Sequence, residues 1–341
     1  RLTCAELAER ATRLAHALAE RGVGVGDHIG LYLYNGTEYL EAMIAAWKIR
    51  AVPINVNYRY VADELVYLFD DADLVAVVHH AEFIPVIADV VHDVPGGETF
   101  LAVADGREVD LDTIGAEDYE AALAGASADR GVADRSPDDL YMVYSGGTTG
   151  MPTGVMWRQE DIFFAAMDAS AAGIADVPER PEDLAVRVPE TAGTVTMATA
   201  APLMHGAAQW VTWICFHQGN AIVLPAAKRF DPVAVWRSVS DEKVVSLTVV
   251  GDAMARPLAD ELKANRDDYD VSGLMALGSG GAILSEGVKQ QYRDILPDII
   301  MADGFGASET GNQGAGIGAN EEGNPQFQLG PHTSVLDEDL R

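Results

Sequence analysis

The chain has 341 residues, 48% of them hydrophobic and 22% charged, which is the composition of a folded globular protein large enough for two or more subdomains. Its 23 basic and 53 acidic residues leave a net charge of −30, and such a surface disfavours nucleic acids and anionic membranes as partners. No run of 18 apolar residues occurs, so we expect no stable membrane insertion. The two cysteines, Cys4 and Cys215, lie far apart, which predicts reduced thiols and a cytoplasmic location.

The first 125 residues alternate between amphipathic segments and short apolar segments. Thr3 and Glu6 have the spacing of a capping box, and the helix that they begin is expected to end at Gly22. Further helices are predicted at 38–49, 63–70, 83–91 and 116–124, and strands at 28–33, 52–55, 74–78 and 100–103. This alternation is typical of parallel sheets with helices packed on them.

Residues 126–139 are polar and rich in Asp, Arg and Ser, which predicts a linker and a candidate subdomain boundary. The alternation then resumes, with strands predicted at 140–144, 155–157, 221–224, 244–250, 274–277 and 299–302, and helices at 161–172, 232–239, 253–264 and 285–293. The apolar residues 198–224 are interrupted by polar ones and are predicted to be core. The glycine-rich residues 311–323 are predicted to be a loop. The sequence therefore predicts an α/β fold.

A segment rich in glycine and hydroxyl side chains, residues 145–154, follows the strand predicted at 140–144. Glycines let a backbone bring its N–H groups close to a ligand, and hydroxyls add further donors. This combination favours a phosphate-binding loop over the alternative of a surface turn. The segment is not a Walker A motif, because no Gly-Lys-Ser/Thr follows its glycines. The candidate phosphate-binding residues are Ser145, Gly146, Gly147, Thr148, Thr149 and Gly150.

Two more motifs follow along the chain: Gly-Ser-Gly-Gly-Ala-Ile-Leu at 278–284 and Asp-Gly-Phe-Gly-Ala-Ser-Glu-Thr at 303–310. Together with the loop they resemble the adenylate-forming superfamily, which includes acyl-CoA synthetases, luciferases and non-ribosomal adenylation domains. The second motif is similar to the family's adenine-binding strand end, and the third to its aromatic-Gly-x-Thr-Glu motif. Because ligands bind beyond the carboxyl ends of strands in open α/β sheets, we expect the three motifs to meet at one nucleotide site.

The resemblance implies a fold and a reaction. Residues 1–341 would form the large N-terminal domain of an adenylate-forming enzyme, with layered α/β subdomains, mostly parallel sheets and a small β subdomain. The enzyme would transfer AMP from ATP to a carboxylic acid and release pyrophosphate, and CoA would then displace AMP to form a thioester. The cofactors and co-substrates that this implies are ATP, Mg²⁺ and CoA.

The resemblance also implies roles at the phosphates and at the acyl group. Thr148 and Thr149 would be the principal phosphate donors, with Thr149 counted as a catalytic residue. Ser145 and Glu309 would hold Mg²⁺, and Glu309 would be catalytic as well. His205 would border the acyl and adenylate pocket as a third catalytic residue, with a hydrogen-bonded structural histidine as the alternative.

The adenine site is implied by the second and third motifs. Phe305 would stack on one face of the adenine ring, and the small residues 280–282 would pack on the other face. Ser308 would keep a hydroxyl beside the α-phosphate at a position where the family usually has threonine. The full set of nucleotide-binding candidates in these motifs is Gly280, Gly281, Ala282, Asp303, Gly304, Phe305, Gly306 and Ser308.

Two departures from the family pattern stand out. Thr153 occupies the position of the family's loop lysine, which would bring a positive charge to the β- and γ-phosphates. The chain begins with Arg1 and ends before the family's ribose-binding motif and C-terminal lid domain with its lysine. Both ends therefore look like cuts in a longer protein. We accordingly expect the 341 residues alone to bind ATP or acyl-adenylate weakly and to turn over poorly.

Short segments at 56–60, 157–161 and 250–257 are similar to one actinobacterial branch that contains ligases for fatty acids and steroid side chains. The sequence therefore predicts an acyl-CoA synthetase that activates a hydrophobic carboxylic acid. The alternatives are a fatty-acyl-AMP ligase, an amino-acid adenylation domain and a catalytically degraded nucleotide-binding homologue. The sequence leaves the oligomeric state open, with a homodimer as one alternative.

Overall fold

The computed structural model describes residues 1–92, 99–131, 134–146, 150–170, 175–225, 227–319, 325–330, 333–334 and 336. The chain divides into two compact units. The first unit comprises residues 1–159 together with 203–205, and the second comprises residues 160–202 and 206–341. Residues 126–139, the candidate subdomain boundary, lie within the first unit.

A parallel sheet covered by helices forms the body of the first unit. Its strands are β1 (His28–Tyr32), β2 (Val52–Asn55), β3 (Leu74–His80), β4 (Thr99–Val103) and β5 (Glu117–Asp118). They are arranged in the order β2-β1-β3-β4-β5, with every pair parallel. The helices are α1 (Cys4–Glu20), α2 (Thr37–Lys48), α3 (Ala62–Asp71), α4 (Ile84–Val90) and α5 (Tyr119–Gly125). The predicted alternation is confirmed, and so is the capping box, in which the Thr3 hydroxyl accepts from the Glu6 N–H at 3.2 Å.

A buried carboxylate joins three helices of this unit. Glu41 on α2 is fully buried and accepts hydrogen bonds from Arg10 Nε on α1, at 2.8 Å, and from the Tyr119 hydroxyl on α5, at 2.6 Å. The Arg10 guanidinium also pairs with Glu120, at 2.6 Å. Two donors on one buried carboxylate offset the cost of removing its charge from water. The three helices are thus held in one arrangement by polar contacts as well as by apolar packing.

A two-stranded antiparallel sheet completes the first unit. β6 (Leu140–Ser145) pairs with β7 (Thr153–Arg158), and Ser145 lies opposite Thr153. Gly154 lies opposite Tyr144, and a Cβ at Gly154 would stand 2.8 Å from Met142 Sδ and 3.0 Å from the Tyr144 ring. A larger residue at position 154 would therefore have to displace these two side chains. The partner strand predicted at 155–157 is confirmed.

The second unit is built on a seven-stranded mixed sheet. Its strands are β8 (Thr196–Thr199), β9 (Ala221–Val223), β10 (Ser246–Val249), β11 (Ala276–Ser279), β12 (Ile300–Ala307), β13 (Gly311–Ala319) and β14 (Pro325–Leu329). They lie in the order β14-β13-β12-β11-β10-β8-β9. β13 pairs antiparallel with both β12 and β14, and the other pairs are parallel. The predominance of parallel pairing confirms the predicted α/β fold.

Helices flank this sheet, and the chain enters the second unit through the first of them. The helices are α6 (Gln159–Ile162), which continues as a π-helical turn (Phe163–Met167), α7 (Leu184–Thr191), α8 (Gly206–His217), α9 (Pro232–Asp241), α10 (Gly251–Ala264) and α11 (Glu286–Ile295). Trp236 of α9 is fully buried, and its indole N–H donates to the carbonyl of Leu258 on α10 at 2.8 Å. Every helix in the described part of the chain is too short or too polar to cross a lipid bilayer.

Two sequence predictions in the second unit were wrong. Residues 311–319 form β13, not a loop. The glycines there permit close antiparallel pairing, since a Cβ at Gly316 would lie 1.7 Å from the Gln326 carbonyl oxygen, and one at Gly306 would lie 2.1 Å from that of Gly311. The helix predicted at 161–172 ends at Met167, because Asp168 has an extended backbone with ψ 155°. The sequence analysis also did not identify α7, β8 or β14.

Because His79 on β3 is buried, the free energy of unfolding depends on pH. The side chain is fully buried, its Nδ1 lies 2.9 Å from the His80 carbonyl oxygen, and its Nε2 has no hydrogen-bond partner among the described residues. Desolvation of the imidazole is the main cause that lowers its pKa from 6.5 to about 4. The unfolded chain therefore takes up a proton at a pH where the folded chain does not.

We expect this group to stabilise the fold fully above pH 6.5 and to lose that contribution as the pH falls towards 4. The contribution of His79 to the free energy of unfolding should fall by about 2 kcal/mol as the pH is lowered from 7 to 5. His79→Gln should remove that contribution, as measured by urea unfolding at the two pH values. His92→Gln, at an exposed histidine, is the control. The same pH dependence in the parent and both variants would contradict the prediction.

Candidate functional site

The predicted phosphate loop connects the two strands of the antiparallel sheet. Ser145 ends β6, Thr153 begins β7, and the two residues are paired, so the predicted loop lies between the paired ends of the two strands in sequence. Among the described residues, a Cβ at Gly146 or at Gly150 would meet no atom within 4 Å. Ser145 is half-buried. Three of the predicted phosphate ligands, Gly147, Thr148 and Thr149, lie outside the described residues.

The start of this loop is anchored by side chains that the sequence analysis did not identify. The Tyr144 N–H donates to Asn55 Oδ1 at 2.7 Å, and Asn55 Nδ2 donates back to the Tyr144 carbonyl at 2.8 Å. The Tyr144 hydroxyl donates to Asp71 at 2.9 Å, and burial, together with this carboxylate, raises the pKa of Tyr144. One signal could have identified Asn55: it is the polar residue that ends the apolar run Val-Pro-Ile at 52–54.

His205 belongs to the same compact unit as the loop. The carbonyl of Met204 accepts from Asn55 Nδ2 at 2.7 Å, and the Leu203 N–H donates to Asn35 Oδ1 at 2.7 Å. The His205 side chain is exposed, but neighbouring protein atoms partly desolvate its ring. This desolvation lowers the pKa of His205, and the positive charge of Arg59 lowers it further. The imidazole is therefore neutral at pH 7, and its catalytic role stays a prediction.

The second motif lies at the carboxyl end of β11 in the second unit. The hydroxyl of Ser279, a buried residue, accepts from the N–H of Gly251, at 3.0 Å. Beyond it, Gly280 is half-buried, while Gly281, with φ +77°, and Ala282 are exposed. The turn therefore presents a surface of small residues at the end of the sheet.

The third motif begins on β12, the neighbouring parallel strand. Ser279 is paired with Asp303, and a Cβ at Gly280 would lie 3.7 Å from the Gly304 carbonyl oxygen. Phe305 is 37% exposed, and its ring lies 5.2 Å from that of Phe327, centroid to centroid. The second and third motifs thus meet at one edge of the sheet, with an accessible aromatic ring and accessible small residues.

The acidic residues of the third motif differ in their surroundings. Asp303 is buried, and its carboxylate accepts from the buried ammonium group of Lys289 on α11. Glu309 lies in the turn at 308–310 and is exposed, and Ser308 is half-buried. The backbone N–H of Thr310 closes this turn on the carbonyl of Ala307 at 3.1 Å. The carboxylate of Asp303 is therefore bound within the protein, whereas that of Glu309 faces solvent.

The residues predicted to hold Mg²⁺ have suitable chemistry. A serine hydroxyl and a carboxylate are hard oxygen donors of the kind that Mg²⁺ prefers. Within the described ranges, no group of three or more His, Cys, Asp or Glu side chains could hold a metal ion. Ser145 and Glu309 lie in different compact units, so their joint role stays a prediction. The same holds for the meeting of all three motifs at one nucleotide.

Comparisons with known proteins agree with the motifs. A family model described as AMP-binding enzyme matches residues 1–331. A 3-oxocholest-4-en-26-oate–CoA ligase from Rhodococcus rhodochrous is 41% identical over 345 residues, which cover 99% of this chain and 62% of that protein. A medium/long-chain-fatty-acid–CoA/3-oxocholest-4-en-26-oate–CoA ligase from Mycobacterium marinum is also 41% identical over 345 residues, with the same coverage. The chain thus spans about 62% of the length of these curated relatives.

Solved structures share the fold. A long-chain-fatty-acid-CoA ligase from Archaeoglobus fulgidus superposes with a TM-score of 0.76 at 18% sequence identity, covering 100% of this chain and 73% of that chain. At this identity the likeness shows the fold alone. Together with the family match, it confirms the predicted fold, the N-terminal domain of an adenylate-forming enzyme.

The turn of the second motif depends on a glycine at the start of α10. Gly251 has φ +52°, and a Cβ there would lie 2.7 Å from Ala282 Cβ and 2.7 Å from the Ile283 carbonyl oxygen. We expect Gly251→Ala to lower the free energy of unfolding by about 2 kcal/mol, because the new methyl group both strains the backbone and displaces the turn. Urea unfolding measures the change.

Gly287→Ala is the matched control for this substitution. Gly287 lies in α11, and a Cβ there would meet no atom within 4 Å. Alanine also has the higher helix propensity, so this variant should be as stable as the parent or more stable by up to about 1 kcal/mol. Equal stabilities of the two variants would show that the contacts at Gly251 do not constrain the turn.

Proposed function

Because the chain belongs to the AMP-binding enzyme family, we propose that it provides the nucleotide-binding part of an ATP-dependent acyl-CoA ligase. The substrate would be a hydrophobic carboxylic acid, of the fatty-acid or steroid side-chain class named for the two relatives at 41% identity. The carboxylate would attack the α-phosphorus of ATP, forming acyl-AMP and releasing pyrophosphate. The CoA thiol would then attack the acyl carbonyl, forming the thioester and releasing AMP.

The pairing of Ser279 with Asp303 is the observation that best supports a nucleotide site. It brings the exposed small residues at 281–282 and the exposed ring of Phe305 to the carboxyl edge of one sheet. A flat base needs an aromatic face on one side and backbone without bulky side chains on the other. With the Asp303 carboxylate bound to Lys289, the main-chain groups of Asp303 and Gly304 would address the adenine amino edge.

The phosphates would be held by main-chain N–H groups and hydroxyls of residues 145–150. In a chain of net charge −30, such local dipoles are required, because the overall field repels a polyanion. The Thr149 hydroxyl would donate to the phosphates and the Ser308 hydroxyl to the α-phosphate. His205, neutral at pH 7, would border the acyl group as a hydrogen-bonding side chain and would add no charge near the carboxylate.

Mg²⁺ would be held by the Ser145 hydroxyl and the Glu309 carboxylate, with its remaining ligands from phosphate oxygens and water. When bound, it would neutralise negative charge on the triphosphate. The protein residues would orient the carboxylate in line with the α-phosphorus and exclude water from the acyl-adenylate. Since the chain spans about 62% of its relatives, we propose that the 341 residues alone turn over poorly.

The proposal is tested by acid-dependent exchange of labelled pyrophosphate into ATP. The full-length protein is assayed with fatty, steroid side-chain, aryl and amino acids, with and without Mg²⁺. We expect exchange with the hydrophobic acids alone and AMP release on addition of CoA. Exchange without CoA-dependent AMP release would favour a fatty-acyl-AMP ligase. ATP binding without exchange for any acid would refute the proposal and favour a degraded nucleotide-binding homologue.

Thr153 stands where the family has a lysine, and for this reason a degraded nucleotide-binding homologue is the second candidate function. The same position provides a direct test of phosphate binding by the loop. Thr153 is exposed and lies opposite Ser145 at the start of β7. We expect Thr153→Lys to lower the KM for ATP about fivefold, which corresponds to ~1 kcal/mol of added attraction between an ammonium group and the phosphates. Steady-state pyrophosphate exchange at varied ATP concentration measures the effect.

Met156→Lys controls for the change in net charge. Met156 is 66% exposed on the same strand, and an odd spacing of three residues puts it on the opposite face of the hairpin from Thr153. This variant should keep the parental KM for ATP. An equal fall in KM for both variants would mean that overall charge, and not proximity to the loop, is responsible.

A further inference from the structure

Asn55 has an unusual set of hydrogen bonds for a residue at the end of a strand. Its side chain is buried, with 5% exposure, and both of its N–H donors and its carbonyl oxygen bind main-chain groups distant in sequence. An asparagine side chain carries two N–H donors and one oxygen acceptor. The buried amide therefore has a partner for each of its donors and for its oxygen, and it is fixed in one orientation.

Two of these bonds are made to the main chain of Tyr144, on the side of β6 that does not face β7. Tyr144 lies opposite Gly154 of β7, yet its N–H and carbonyl both bind the Asn55 amide. An amide carries the same donor and acceptor as a peptide group, so Asn55 replaces a third strand at this one residue. The next residue is Ser145, where the candidate phosphate loop begins. The side chain of Asn55, at the end of β2, therefore holds the main chain directly before the first residue of the loop.

The third bond reaches a different segment of the first unit. Asn55 Nδ2 donates to the carbonyl of Met204, the residue before His205. The same segment is held by Asn35, which accepts from the Leu203 N–H. β1 and β2 are neighbouring parallel strands, so the two asparagines come from the same edge of the sheet. One side chain therefore joins the base of the candidate phosphate loop to the backbone that carries His205.

We propose that Asn55 is a positioning residue that sets the phosphate loop and the His205 segment relative to each other before the nucleotide binds. The kinetic part of this inference rests on the proposed function, whereas the structural part does not. Asn55 acts on Tyr144 and Met204 through their main chains and contacts no substrate in this role. Its loss should therefore affect the use of ATP more than it affects the integrity of the fold.

The experiment compares two variants of Asn55 with a buried asparagine elsewhere, all in the full-length protein. Asn55→Ala removes the amide, and Asn55→Asp keeps the volume but removes both donors. Asn220→Ala is the control, because Asn220 is 4% exposed and its oxygen accepts from the N–H groups of Thr194 and Val195, each at 3.1 Å. The variants should have similarly lowered thermal midpoints.

In acid-dependent pyrophosphate exchange, both Asn55 variants should lose about tenfold or more in kcat/KM for ATP, since small displacements of binding groups are costly in this kind of reaction. The Asn220 variant should stay within about twofold of the parent. If Asn55 had only a structural role, the three variants would lose activity in proportion to their unfolded fraction. Parental kinetics in the folded Asn55 variants would overturn the proposal.

Hydrogen–deuterium exchange provides a measurement that needs no activity. In the Asn55 variants, peptides that cover β6 and residues 203–207 should both exchange faster than in the parent, and in the Asn220 variant neither should. Unchanged exchange at both segments would overturn the inference, even for a parent that is an active ligase. A parent with no pyrophosphate exchange for any acid would refute the proposed function, and the deuterium result would still decide the positioning role.

Discussion

Buried main-chain N–H and C=O groups at the ends of strands need hydrogen-bond partners, and in both compact units short polar side chains supply them. In the first unit, Asn55 binds the N–H and carbonyl of Tyr144 at the edge of β6. In the second unit, the Ser279 hydroxyl accepts from the N–H of Gly251 at the start of α10. Each of these contacts lies one residue before a candidate ligand-binding segment. The first contact binds the edge of β6, and the second joins the end of β11 to the start of α10.

Glycine determines the geometry of the second unit in two different ways. At Gly251 and Gly281 the backbone has positive φ, a conformation that other residues adopt at a cost. At Gly306 and Gly316 the chains approach so closely that a Cβ would overlap a carbonyl oxygen. The first pair shapes the turn after β11, and the second allows β12, β13 and β14 to pair. One member of each pair, Gly281 and Gly306, is exposed, so the backbone is accessible at these two positions.

Charge imposes a separate constraint on this protein. A net charge of −30 opposes the binding of a triphosphate, and the chain has threonine at position 153, where the family has lysine. Lys289, which lies beside the third motif, is buried against Asp303 and paired with it. Under the proposed function, attraction for phosphate would come from main-chain N–H groups, hydroxyls and a bound divalent cation. In that case the path of the loop backbone, and hence its anchor at Asn55, would matter more than in a site rich in basic side chains.

The sequence by itself determined the α/β class, most strands and helices of both units and the family, because apolar periodicity and short motifs are local properties of a chain. The strand at 52–55 and the capping box at Thr3 were predicted as they occur. The glycine-rich residues 311–319 were predicted wrongly, because their strand forms through pairing with distant residues that local pattern does not encode. Tertiary structure alone revealed the contacts of Asn55, since its partners Tyr144 and Met204 are 89 and 149 residues away in sequence. Hydrogen bonds over such separations depend on how the strands are arranged in space, and only the folded chain decides that arrangement.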